Sequence, residues 1–259
     1  MQDDVRGTTK TVRQLTVLDR GQGEGLLLAH HSVVGVGPAT HDSVVVPARD
    51  VGYFAARAVT FAVVATGAVP LALLFHLVPE DAKVLAAVEE GIAEFLAASE
   101  LTHLPWSKPL ESVTALPVTA VGLAMVGWWE ATRFKLGRAE RGDDLYLIGH
   151  PLRAPQHRYA RADTIMPSTR HILDLLPHAH DLVPVGVEGV FAAAQSLAQT
   201  AGLTFFPQEH LPPWMAHRLP CPAGAIIAAL PQGQGGRAYA IPVPVMHLGR
   251  LAGGDQAGS

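Results

Sequence analysis

Histidine is one candidate chemistry in this chain, with 13 of 259 residues. His30-His31 could bind a soft metal or, when protonated, orient a phosphate. Consecutive strand residues face opposite sides, so the two rings would not chelate one ion. His178-Ala179-His180-Asp181 is a looser cluster in a Pro-led loop, and a set of surface histidines accounts for it without a metal. Gly186 and Gly189 flank Glu188 at an expected helix start, where backbone N–H groups could face an anion. The Glu188 charge opposes that role unless it binds a hydroxyl. Asp42 either orients a phosphate loop or serves as the turn residue that opens a strand. Trp214, in Leu211-Pro212-Pro213-Trp214-Met215, either pins a loop or stacks on a base. Cys221 beside Pro220 and Pro222 reads as a packed thiol rather than a nucleophile. No H-E-x-x-H, G-x-S-x-G or G-x-x-x-x-G-K-[ST] motif occurs, so zinc-protease, serine-hydrolase and P-loop readings lack support.

These residues need elements to position them. Val12 to Leu18 and Leu26 to His30 read as strands, the second followed by a Gly35-Val36-Gly37-Pro38 loop. The β-branched run Ser43 to Val46 stops at Pro47, and a helix over Arg49 to Thr66 closes on Gly67-Ala68-Val69-Pro70 before a strand over Leu71 to Val78. After Asp50 that helix contains no carboxylate. Asp81 to Ala98 has apolar residues at helical spacing, with Glu89, Glu90 and Glu94 on other faces. Pro117 within the apolar Ser112 to Trp128 stretch predicts an interrupted or edge strand. Further strands are expected over Leu145 to Gly149, Asp181 to Val185, Leu203 to Phe206, Ala223 to Leu230 and Tyr239 to Leu248. Helices are expected over Ser168 to Leu176 and Glu188 to Ala201, and 231–236 reads as an exposed loop. The charged stretch from Glu130 to Asp144 marks a boundary. The expected organisation is therefore an N-terminal αβ domain over 1–135, a C-terminal αβ domain over 136–250 and a disordered tail over 251–259. The fold class is α+β.

Composition narrows the partners. The apolar share of 49% is globular, and a net charge of -4 leaves no electrostatic footprint for nucleic acid. A single cysteine excludes an intrachain disulfide and fits a reducing compartment; with the polar start Met1-Gln2-Asp3-Asp4, a cytoplasmic location is expected. Ala58 to Phe75 is 18 residues without a charge, the length of a crude membrane span. Thr60, Thr66, Gly67 and Pro70 instead split it into a buried helix and a buried strand.

One set of residues resembles a known family. They are Gly35-Val36-Gly37, Asp42, Val46-Pro47, Val51-Gly52-Tyr53-Phe54, Arg57 and Ala65-Thr66-Gly67-Ala68 with Pro70. The second half adds Gly142-Asp143, Gly149 with Pro151, Leu182-Val183-Pro184-Val185-Gly186 with Gly189, Pro222-Ala223, and Ile241-Pro242-Val243 with Gly249-Arg250. In this order, over roughly residues 12 to 250, the chain resembles the aminoimidazole ribonucleotide synthetase-like (PurM-like) superfamily, which includes selenophosphate synthetase and thiamine-monophosphate kinase. Within it the α-ribazole kinase branch, linked to cobalamin lower-ligand salvage, is the most similar.

The resemblance implies an AIR synthase-related homodimer whose N-terminal strands pair into a dimer barrel, with ATP in a cleft covered by the C-terminal domain. It implies Mg²⁺ on acidic residues and phosphoryl transfer to a small-molecule hydroxyl. Residues matched to that cleft are His31, Ser32, Gly35, Gly37, Asp42, Arg57, Ser107, Glu111, Gly186 and Glu188. The chain departs from the pattern at three acidic positions, which fall at His31, at Ala62 and within Leu104 to Lys108. A hard cation that prefers oxygen ligands is poorly served by that set. Two functions are therefore expected in competition. One is an ATP-dependent kinase acting on a nucleoside; the other is a non-catalytic homologue that binds a small molecule.

Overall fold

The computed structural model describes residues 7–78, 82–107, 117–151, 164–216 and 223–253. The chain forms two compact units, one of Met1–Val63 with Ala68–Arg133 and the other of Val64–Gly67 with Phe134–Ser259.

The first unit contains β1 (Thr8–Val12), β2 (Leu15–Asp19), β3 (Glu24–Val34), β4 (Val36–Gly37), β5 (Val44–Val45), α1 (Ala48–Val64), β6 (Val69–Val78), α2 (Ala82–Ala98), β7 (Trp106–Ser107) and β8 (Ala120–Glu130). Its main sheet runs β1-β2-β3-β8-β6-β7 and is antiparallel except at the β6/β7 edge. Strand alternation gives the sheet two unlike faces. Leu27, Ala29, Leu73, Phe75, Leu123 and Met125 are buried on the inner face. On the outer face Leu26, Leu28, Val126 and Trp128 are only partly covered, and Leu74 is exposed. The helices lie on the inner side, where Val63 of α1 meets Gly127 of β8. Phe95 of α2 packs edge-on against Tyr53, with ring centroids 5.3 Å apart. α1 and α2 cross backbone to backbone: a Cβ on Gly52 would collide with the Val88 carbonyl, and one on Gly91 with that of Arg49. Arg49 then reaches Glu94 at 2.9 Å across the same crossing.

Two expectations change here. Val12 to Leu18 is not one strand, because Arg13 and Gln14 (φ 50° and 66°) form a two-residue hairpin turn that pairs Val12 with Leu15. These are not residues that usually signal such a turn. The strand expected at the edge is central: β8 lies between β3 and β6, starting after Pro117, so the proline removes no ladder bond. The long uncharged stretch does split. α1 ends at Val64, Gly67 (φ 79°) supplies the left-handed turn, and β6 begins at Val69. No described helix is long and apolar enough to cross a membrane.

The second unit contains β9 (Asp144–Gly149), α3 (Thr169–Leu175), β10 (Asp181–Pro184), α4 (Val190–Thr200), β11 (Leu203–Pro207), a 3₁₀ turn (Pro213–Ala216), β12 (Ala225–Leu230), α5 (Gly235–Tyr239) and β13 (Val245–Gly253). Its antiparallel sheet runs β10-β12-β9-β13-β11. Ala194, Leu197 and Ala198 of α4 share one core with Leu145, Leu147, Ile227, Leu248 and Leu251. Every residue of β9 and β12 is buried, which explains their unbroken apolar character. α3 opens on a capping box in which Ser168 accepts from the His171 amide and the His171 ring accepts from the Ser168 amide. The strand expected over Tyr239 to Leu248 is instead the end of α5, a Pro-containing link and the start of β13. Gly235 and Gly236, expected in an exposed loop, begin α5. Leu251 to Gly253, assigned in sequence to a tail, complete β13 by pairing with β11.

Candidate functional site

Local hydrogen bonds build the best-defined feature of the first unit. The loop after β3 is stitched to the lead-in of β8: the Gly35 amide donates to the Thr119 carbonyl at 2.9 Å, and the His41 amide to that of Pro117 at 2.9 Å. Asp42 holds the centre. One carboxylate oxygen accepts the Thr119 amide at 2.8 Å, and the other accepts the Thr119 hydroxyl at 2.7 Å and the Ala39 amide at 2.8 Å. Gly37 lies so close that a Cβ there would collide with the Thr119 side chain. Gly35, Gly37 and Asp42 are thus brought together in one loop.

The other candidates of this unit are dispersed. His31 lies on the inner sheet face in the row His31–Leu123–Phe75. Burial, and then the neighbouring His30, hold its imidazole below the ordinary pKa, so the ring is neutral at pH 7. His30 and Ser32 are exposed on the outer face. Ser107 aligns with Leu74, which aligns through Ala124 with His30; it therefore shares the face of His30 and not of His31. Trp106 is on the inner side, with its ring 6.3 Å from Phe75. Arg57 is buried within α1, its guanidinium 4.1 Å from the Phe61 ring centroid. Ala62 belongs with Asp50 and Phe54 to the least buried strip of that helix. Glu111 lies outside the described residues.

In the second unit Gly186 and Glu188 occupy the turn before α4, closed by the Gly189 amide donating to the Gly186 carbonyl at 3.1 Å. Glu188 is exposed, and Gly189 caps α4 without a side-chain hydrogen bond. The His178–Asp181 cluster resolves into structural pairings. His180 Nδ1 lies 3.0 Å from Oδ1 of buried Asp143, and Asp181 accepts the Gly137 amide at 2.9 Å. Among the described residues, no three of His, Cys, Asp or Glu are grouped so as to hold a metal.

A further polar cluster was not foreseen from sequence. Arg250 Nε donates to Asp144 Oδ1 at 3.0 Å, and His247 Nε2 lies 3.3 Å from the same oxygen without hydrogen-bond alignment. The other ring nitrogen of His247 meets the Gln208 amide. His247 and Arg250 are three residues apart and would face opposite sides of a regular strand. A bulge between His247 and Gly249 turns both toward Asp144. Gly249 (φ 144°) lies against the Phe206 carbonyl, where no Cβ would fit. That glycine within an apolar strand pattern was the available signal.

No family model matches the sequence, and no curated protein matches it. Solved structures do. A thiamine-monophosphate kinase from Stenotrophomonas maltophilia K279a superposes with a TM-score of 0.65 at 17% identity, over 93% of this chain and 86% of that one. The Aquifex aeolicus enzyme ThiL complexed with AMPPCP and TMP gives 0.64 at 17% identity, over 98% and 87%. The hydrogenase maturation protein HypE gives 0.64 at 18% identity, over 90% and 82%. The fold is PurM-like. With so little shared sequence, the likeness establishes architecture alone.

Structures of the same fold were captured with ATP or an analogue: ThiL with AMPPCP, and HypE with ATP. Whether this chain could hold a metal–nucleotide group depends on its own donors. His31 offers a neutral nitrogen, Ala62 offers none, and Ser107 is on the opposite sheet face from His31. Both carboxylate oxygens of Asp42 are already engaged by the loop. The positions that the resemblance assigned to acids, His31, Ala62 and Ser107, thus do not converge into one donor set, and they offer few of the several hard oxygens that Mg²⁺ prefers.

Proposed function

We propose that the chain is a homodimeric PurM-like protein of the α-ribazole kinase type whose metal–nucleotide site is degenerate. It binds a nucleoside or nucleotide and does not transfer phosphate. What supports this reading is the sequence: α1 has no carboxylate after Asp50, and the acidic positions implied by the resemblance fall at His31, at Ala62 and within Leu104 to Lys108, a set poor in the hard oxygens that a Mg²⁺-bound triphosphate needs. The partly covered outer face of the first unit's sheet, with Leu26, Leu28, Val126, Trp128 and Leu74, is the surface we assign to the second copy. The setting we assign is cytoplasmic, a reducing compartment that a single thiol fits.

The second reading is an active ATP-dependent kinase phosphorylating α-ribazole in cobalamin salvage. It is favoured by the ordered run of matching motifs and by a fold shared with ATP-binding proteins. Calorimetric titration with ATP, with and without Mg²⁺, followed by an α-ribazole phosphorylation assay, separates the two. Nucleoside binding without Mg²⁺-dependent ATP binding is the expected outcome. Micromolar, Mg²⁺-dependent ATP binding with product formation would overturn the degenerate site and leave the kinase.

A further inference from the structure

The Asp144 cluster extends beyond the ties between β9 and β13. Phe206, Arg250 and Asp144 form one cross-strand row, and His247 and Tyr146 form the next. The Tyr146 ring lies 5.0 Å from His247 and 5.8 Å from Tyr239 of α5, the latter edge-on. α5 seats closely on this row, because a Cβ on Gly235 would collide with the Tyr146 hydroxyl. Burial raises the Tyr146 pKa, with Asp144 and then Tyr239 adding to it and Arg250 opposing. These four groups are therefore within electrostatic reach, and the phenol remains a proton donor at neutral pH.

The hydrogen-bond inventory here is unbalanced. Asp144 supplies the carboxylate, and its Oδ1 already receives Arg250 Nε. Among the described residues, the terminal Nη groups of Arg250 and the Tyr146 hydroxyl donate to nothing. A guanidinium fork and a phenol left open beside one another match the acceptor geometry of an oxyanion. Exposed rings flank them: Tyr239 is 59% exposed and Phe206 54%. An exposed aromatic beside a cationic fork is a surface on which a planar group can stack.

We propose that this corner of the second unit binds a small oxyanion, phosphate or carboxylate, carried on a planar ring. Arg250 and Tyr146 hold the oxyanion, Tyr239 holds the ring, and Asp144 with His247 fixes the position of Arg250. The site does not depend on the nucleotide reading above: Tyr146 and Tyr239 do not enter that argument, and Arg250 enters it only as a matched motif residue with no role assigned.

The test is calorimetric titration of the full chain with phenyl phosphate, benzoate and inorganic phosphate. Saturable binding of phenyl phosphate or benzoate is expected, about tenfold weaker in Arg250→Gln. Tyr239→Ala, at a ring that is 59% exposed, is expected to weaken phenyl phosphate severalfold and to leave inorganic phosphate unchanged. The absence of binding to the native chain overturns the proposal. So does binding that Tyr239→Ala leaves untouched, or equal affinity for phosphate with and without the ring. A strong response to phenyl phosphate alone identifies a phosphomonoester, and one to benzoate alone a carboxylate.

Discussion

Asp42 and Thr119, 77 positions apart, are joined by two hydrogen bonds from one carboxylate: one oxygen takes the Thr119 amide at 2.8 Å and the other its hydroxyl at 2.7 Å. This pair closes the loop that leaves β3 onto the strand that will lie beside β3, so the first unit's sheet and its Gly35–Asp42 loop are set together. Asp42→Ala would leave the buried Thr119 amide without its acceptor. It is expected to lower unfolding free energy by about 3 kcal/mol, and Thr119→Val by about 1.5 kcal/mol. Because the two share one interaction, the double variant should cost less than the sum. Urea unfolding of the single and double variants measures this directly, and a strictly additive double variant would show that the two do not act together.

His31 makes stability depend on pH in a defined direction. Its folded pKa lies below the ordinary value of 6.5, so protons bind the unfolded chain first as pH falls. The His31 contribution is therefore fully present above about pH 6.5 and is lost progressively below it. Urea midpoints between pH 7.5 and 5 should fall, and His31→Gln should flatten that fall. A variant with an unchanged slope would place the titration elsewhere.

The α1–α2 crossing sets two effects against each other at Gly91. In an open helix Gly→Ala gains about 1 kcal/mol of propensity. Here the added methyl meets the Arg49 carbonyl, a backbone group that cannot rotate away. Overpacking wins, and Gly91→Ala is expected to destabilise by about 2 kcal/mol. Gly236→Ala is the control, since nothing lies within 4 Å of a Cβ there. Thermal unfolding of the two variants should shift in opposite directions or, for Gly236→Ala, not at all.

The β1–β2 hairpin stores local strain in non-glycine residues. Arg13 and Gln14 both hold positive φ, the geometry that Asn-Gly adopts readily. Arg13→Asn combined with Gln14→Gly is expected to stabilise the first unit by about 1 kcal/mol. A drop in the melting temperature would show that the native side chains contribute more than the turn costs.

The homodimer assigned to the outer sheet face has a direct readout. Sedimentation at micromolar concentration should give twice the chain mass, and Leu28→Glu or Val126→Glu, placing a charge in the middle of that face, should return one chain mass. A native chain sedimenting as a monomer would sink the assignment.

Much of the architecture was legible because local rules and tertiary packing agreed. Unbroken apolar runs gave β9 and β12, helical spacing gave α2, and Gly67 before Pro70 separated α1 from β6. The misreadings share a cause. Arg13-Gln14 turns without turn residues because strand pairing on both sides imposes the geometry. β8 is central because it pairs with both β3 and β6, which Pro117 permits by preceding the strand. The three positions where the resemblance implied acids could be read one by one, but their arrangement could not. Only the register shows that Ser107 and His31 are on opposite faces of one sheet.

By itself, then, the amino-acid sequence determined the αβ character, the order of most elements and the residue types at the expected metal positions. Those follow from periodicity and composition, which act over a few neighbouring residues. The tertiary structure decided what each polar side chain faces. Asp42 became a clamp because Thr119 returns beside it, and His31 became a neutral, partly buried group because strand register turns it to the inner face of the sheet. Asp144, His247 and Arg250 became one cluster because a single bulge in β13 reverses the direction of a side chain. Long-range pairing and burial set these outcomes, and neither is encoded in the spacing of residues along the chain.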